Sequence, residues 1–166
     1  MLQDVITSLA QAQFAAIEDG YILGPAALAH VTLCQFRAAT EQVALDAFKS
    51  WQGNRDVSLI VGAFRLRAGR DEHAGKSWAY FSVERAPVLL DLQEDCAKHL
   101  VASGLDILTP TATYSPHITL ARLRGMPTSE IATPKFPCDG PVYFRPAVGR
   151  STENGVLLGT LEDGHA

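Results

Sequence analysis

Apolar side chains recur at helical spacing near the start of the chain. Ile6, Leu9, Ala10, Phe14 and Ile17 share one face, which predicts a helix over residues 4–18 with Gly20 as its stop. After a Gly24-Pro25 turn the period changes. ALAHVTLCQF, residues 27–36, alternates in a way that predicts a strand of about ten residues. Thr40 is placed to cap a second helix, whose apolar stripe is Ala44, Ala47, Phe48 and Trp51. VSLIVGAFRL (57–66) and KSWAYFSVE (76–84) are rich in β-branched and aromatic residues, and predict a hairpin across the turn-rich AGRDEHAG. Pro87 suits the first position of a third helix that runs to about Ser103, with Leu89, Leu92, Cys96 and Leu100 inward and Gly104 as its stop. SPHITLARLR (115–124), PVYFRPAVGR (141–150) and GVLLGTL (155–161) predict three more strands, and the Pro- and Thr-rich residues 125–140 a loop. Helices and strands mixed in this order indicate an α+β fold.

One pattern occurs twice: HVTL at residues 30–33 and HITL at residues 117–120. Random placement of the five histidines, 11 threonines and 19 leucines would give only about 0.04 copies of H-x-T-L. Each copy follows a predicted helix and lies on a predicted strand, and the two are 117 − 30 = 87 residues apart. That spacing suggests an internal duplication: one domain over residues 1–166 made of two similar half-units.

Side chains alternate faces along a strand, so His30 and Thr32 point one way and Val31 and Leu33 the other. The same holds for His117 and Thr119 against Ile118 and Leu120. If the half-units face each other, two imidazoles and two hydroxyls converge on one cleft. Such a set suits phosphodiester chemistry. An imidazole titrates near neutral pH, so one ring accepts a proton while the other donates one. Threonine hydroxyls supply donors for the charge that grows on the phosphoryl oxygens. A single H-x-T on a strand is more often a satisfied polar pair on a sheet surface; it is the second copy that moves the balance toward chemistry.

Composition narrows the partners. The chain has 47% hydrophobic and 19% charged residues, and a net charge of −4. An acidic balance argues against a broad grip on duplex nucleic acid but leaves room for a small basic pocket. Cys34, Cys96 and Cys138 form no C-x-x-C, and no carboxylate cluster accompanies the histidines, so neither a metal nor another cofactor is expected. Asp4 stands where a signal peptide would carry Lys or Arg, and no run of 18 apolar residues occurs. The expectation is a soluble cytoplasmic protein with no membrane span and no obligatory protein partner, a monomer being sufficient.

HVTL and SPHITLAR resemble the paired signatures of the two-histidine phosphoesterase superfamily, and most closely its bacterial 2′-5′ RNA ligase-like proteins and RNA 2′,3′-cyclic phosphodiesterases. The resemblance covers roughly residues 25–125 well and the tail loosely. It implies a bilobed, pseudo-symmetric α+β fold with mainly antiparallel sheets facing a central cleft, helices outside, and no metal. It implies His30 and His117 as catalytic residues, with Thr32 and Thr119 binding the substrate phosphate. Arg122 matches an arginine the family uses near the phosphate. Strict alternation sends Arg122 to the face opposite His117, so the strand must bulge, or the side chain must reach round its end. Family members open with a strand before the first helix. Here a helical pattern starts almost at once, and GVLLGTL is the candidate for the vacant place in the sheet.

Tyr114 precedes the second motif and is a candidate donor at the cleft edge. Cys34 and Phe36 continue the His30 face. Trp78 and Tyr80 share a face and are candidates to stack on a base, while Arg65, Arg67 and Arg70 cluster near a strand end. His73, His99 and His165 read as bystanders. The expected function is hydrolysis of a 2′,3′-cyclic phosphate, on a small nucleotide or an RNA terminus, to a 2′-phosphate. The alternatives are a 2′-5′ RNA ligase, a 2′-5′ oligonucleotide phosphodiesterase, and a module that binds nucleotide phosphates without chemistry.

Overall fold

The computed structural model describes residues 2–70, 73–109, 111–127, 133–152 and 155–161. Helix α1 spans Leu2–Phe14, α2 Glu41–Ser50 and α3 Pro87–Ala102. The strands are β1 (Glu18–Ile22), β2 (Phe36–Arg37), β3 (Val57–Ala68), β4 (Lys76–Val83), β5 (Asp106–Ile107), β6 (His117–Arg124), β7 (Pro141–Phe144), β8 (Gly149–Ser151) and β9 (Leu157–Thr160). Five of them form one sheet in the order β1-β6-β4-β3-β7. Its neighbours are all antiparallel. The pairs β2-β5 and β8-β9 form separate two-stranded ribbons. The class is α+β, as expected. A two-fold symmetry of equivalent sheets is not carried by the strand pairing among the described residues.

The helices follow from their capping and stripes. Thr40 caps α2 by accepting a hydrogen bond from Val43 N, and Ala44, Ala47 and Phe48 are buried. Pro87 opens α3, whose Leu89, Leu92 and Leu100 are buried. Gly104, at φ 77°, turns the chain out of it. Helix α1 ends at Phe14, four residues before the expected end. There Ile17 O accepts from Arg124 N, which draws the chain onto β6 as β1, a strand the periodicity did not predict. Ile17 is accordingly exposed.

Three further expectations are corrected. Of the segment 27–36 only Phe36 is in a strand, as the first residue of β2, and residues 28–35 are irregular. The segment 141–150 splits into β7 and β8, because Pro146 has no N–H to donate and breaks the ladder. GVLLGTL supplies β9, but β9 pairs with β8 and not with the main sheet.

Two apolar clusters hold the chain together. In one, Ile6, Ala10 and Phe14 of α1 pack on Phe81, Leu120 and Leu123. In the other, α2 and α3 pack on Val57, Leu59, Val83 and Ile118. Ala29, Val61 and Phe136 touch both. Among the described residues no helix is long and apolar enough to cross a membrane.

Phe81 is fully buried and meets both Phe64 and Phe136 edge-on. Phe81→Ala is expected to cost about 3–5 kcal/mol in chemical denaturation, and Thr40→Ala about 1 kcal/mol. Equal losses for the two would contradict the packing described.

Candidate functional site

Strand β6 carries the second motif between β1 and β4. Ile118 and Leu120 are buried, while His117 and Thr119 are half-buried on the opposite face. The polar and apolar members thus sort as alternation requires. The register against β4 runs Ser82–His117, Phe81–Ile118 and Tyr80–Thr119, then jumps to Ala79–Ala121 and Trp78–Arg122. Leu120 is the extra residue of a β-bulge. Leu120 and Ala121 are therefore both buried in succession, and Arg122 returns to the face that carries His117 and Thr119.

The first motif forms no ladder and is held at its two ends. Leu28 N donates to Leu157 O at 3.1 Å, and Ala29 N to Gln3 Oε1 at 2.9 Å. At the far end, Gln35 N donates to Thr109 Oγ1 at 2.8 Å and Gln35 O accepts from Leu108 N at 2.7 Å. Between these anchors Val31 and Leu33 pack on the α2–α3 cluster.

The two histidines share one local arrangement. His30 Nδ1 lies 2.8 Å from Leu28 O, and His117 Nδ1 lies 2.7 Å from Ser115 O. Each ring is tied to the carbonyl two residues before it. A carbonyl oxygen only accepts, so Nδ1 carries the proton in both rings and Nε2 is left bare in the neutral form. Among the described residues no hydrogen bond engages Nε2 of either ring, or the hydroxyl of Thr32 or Thr119.

His117 is embedded in other groups. The Tyr80 ring meets it edge-on at 5.2 Å between centroids, and the Arg67 guanidinium sits 5.8 Å from the centre of the Tyr80 ring. Burial holds the His117 pKa below the ordinary imidazole value, and the charges of Arg67 and His30 push it further down. The Ser115 carbonyl opposes them. His30 and Thr32 border a cavity of about 800 Å³ that runs back to α2 and α3, and His117 and Thr119 lie half-buried on the sheet face opposite Ile118 and Leu120.

Arg122 occupies a neighbouring groove. Its Nε donates to Asp19 O at 2.7 Å, and its guanidinium lies 5.7 Å from the centre of the Trp78 ring. Gly20, at φ 77°, lies beneath it: a Cβ there would stand 2.7 Å from Arg122 Nη2. The glycine expected to stop a helix instead makes room for an arginine.

Other candidates lie elsewhere. Tyr114 is not at the cleft edge. It is 5% exposed in the α2–α3 cluster, its hydroxyl has no hydrogen-bond partner among the described residues, and burial raises its pKa. Cys34 and Phe36 line the same cavity as His30 and Thr32, at the end where they pack toward Ala47 and Leu100. His99 is structural: its Nε2 lies 2.8 Å from Ala47 O and joins α3 to α2. His73 packs edge-on against Trp78, and His165 lies outside the described residues. Among the described residues no group of three or more His, Cys, Asp or Glu is arranged to hold a metal ion. Arg67 and Tyr80, which the sequence left as weak candidates, come to His117 through cross-strand pairing. Their only advance signal was alternation along β3 and β4. No family model matches the chain, and no curated protein matches it.

The His117 ring is expected to titrate below the ordinary imidazole range when followed by NMR. Between its lowered pKa and the ordinary one, the unfolded chain binds a proton that the fold refuses, so acidification through that window lowers stability. Arg67→Gln should raise the midpoint. An unchanged midpoint in that variant would show that Arg67 does not act on the ring.

Proposed function

We propose that this protein is a two-histidine phosphodiesterase that opens a 2′,3′-cyclic phosphate to a 2′-phosphate. The observation that carries the reading is the matched tether of the two H-x-T rings. Both imidazoles have Nδ1 occupied by the carbonyl at i−2, and among the described residues Nε2 of each has no hydrogen-bond partner.

Ring opening needs two proton transfers. Nε2 of a neutral imidazole takes a proton from water as the water oxygen bonds to phosphorus. The bond from phosphorus to O3′ breaks, and Nε2–H of the protonated imidazole delivers its proton to O3′. The Thr32 and Thr119 hydroxyls donate to the non-bridging oxygens as charge builds there. His117 is the better base, since burial and the nearby Arg67 favour its neutral form. That leaves His30 as the acid. Each bond made or broken is served by a side chain already described, so the scheme requires no metal. Transfer of a 5′-hydroxyl in place of water would run the same site as a ligase.

His30→Ala and His117→Ala are each expected to lower turnover of nucleoside 2′,3′-cyclic phosphates about 10²-fold or more with a chelator present, while the thermal transition is retained. Parental rates in both variants would sink the mechanism. A 2′-5′-linked product would redirect it to ligation, and tight binding without turnover would leave a binding module.

A further inference from the structure

The strand register writes rows across the exposed face of the sheet. Beyond His117, the first row is Arg65–Tyr80–Thr119. The second is Arg67–Trp78–Arg122, and the third is Lys76–Arg124. Successive rows are two residues apart along β4, roughly 7 Å. Five of the chain's 14 lysines and arginines therefore collect on three adjacent strands of an acidic protein. The aromatic rings alternate with them: Arg67 lies against Tyr80, and Arg122 against Trp78.

Among the described residues, acid groups meet the rows at the Lys76–Arg122 end. Asp19 bonds Lys76 at 2.9 Å, and the charges of Arg122 and Arg124 also act on it. Glu18 accepts from Gly20 N at 2.7 Å. Opposite Trp78 and Arg122, Thr152, Val156 and Leu158 form the second wall of a groove of about 510 Å³.

Interleaved cations and aromatic rings, repeating across a sheet face with Trp78 and Arg122 at a groove, suit a single nucleic-acid strand. The cations meet successive phosphates and the rings meet base faces, without reading base edges. We infer that these rows bind the nucleotides on the 5′ side of the terminal cyclic phosphate, so that the substrate is an RNA 3′ end of at least three nucleotides and not a free cyclic mononucleotide. The direction of the strand rests on the phosphodiesterase reading of His30 and His117; the groove itself does not.

The test separates the two. Binding is measured by fluorescence anisotropy with a 5′-labelled tetranucleotide that ends in a plain 3′-phosphate, which cannot be turned over. Wild-type protein is expected to bind it at least tenfold more tightly than a labelled mononucleotide. Trp78→Ala should remove most of that advantage and Trp78→Phe restore it. Arg124→Gln should reduce the slope of log affinity against log salt by about 0.7, the value of one released counterion on a single strand. In turnover, the ratio of kcat/KM for the cyclic-phosphate tetranucleotide to that for the cyclic mononucleotide should fall about tenfold or more in Trp78→Ala. Length-dependent binding with no hydrolysis would support the groove and remove the enzyme. Hydrolysis with equal binding and equal kcat/KM for mononucleotide and tetranucleotide would overturn the groove and leave the enzyme standing.

Discussion

The phase of β6 decides what this protein presents to solvent. The strand lies between β1 and β4, and Ile118, Leu120 and Leu123 must face the helices. A register slip of one residue would move the whole set to the other face. With Leu120 inward, strict alternation would put Ala121 outward and bury Arg122. Burying an unpaired guanidinium costs several kcal/mol, whereas one extra residue in an antiparallel ladder costs a local hydrogen bond and a twist. The bulge is the cheaper solution. It places Arg122 and Arg124 on the face that already carries His117 and Thr119. The apolar doublet Leu120-Ala121 inside an otherwise alternating strand is the mark it leaves in the sequence.

Helices and the central hairpin were legible because their signals are local: Thr40, Pro87 and Gly104 act within one turn of chain. The polar strand EDGYI was not, since β1 exists through pairing with β6 and carries little apolar pattern of its own. The reverse error occurred at residues 27–36. Alternation there reports that Val31 and Leu33 are inward, which is true, but alternation does not require a ladder. Anchors from Leu157, Gln3 and Thr109 hold the ends, and the segment stays irregular. Tyr114 misled for a related reason: proximity in sequence to a motif says nothing about which side of the sheet a ring enters.

The site divides along the same line. Its chemical types were legible from the repeat, because imidazole and hydroxyl recur at fixed spacing. The company those groups keep was not. Arg67 reaches His117 through Tyr80, and that contact depends on β3 and β4 being paired with Arg65 opposite Tyr80. A shift of one residue in that hairpin would send both side chains into the core.

The two rings share one piece of short-range geometry. One lies in an irregular segment and the other at the start of a strand, yet each is held by the carbonyl two residues earlier. That tether needs only a local backbone shape, so it survives where the longer pairing does not. It sets the tautomer and aims Nε2, and it treats the two rings alike. The proposed mechanism nevertheless needs the acid and the base to differ. The difference comes from surroundings the tether does not control: burial around His117 and the cation behind Tyr80. In the proposed mechanism, division of labour between chemically identical side chains would thus come from the sheet, and their readiness for proton transfer from the motif.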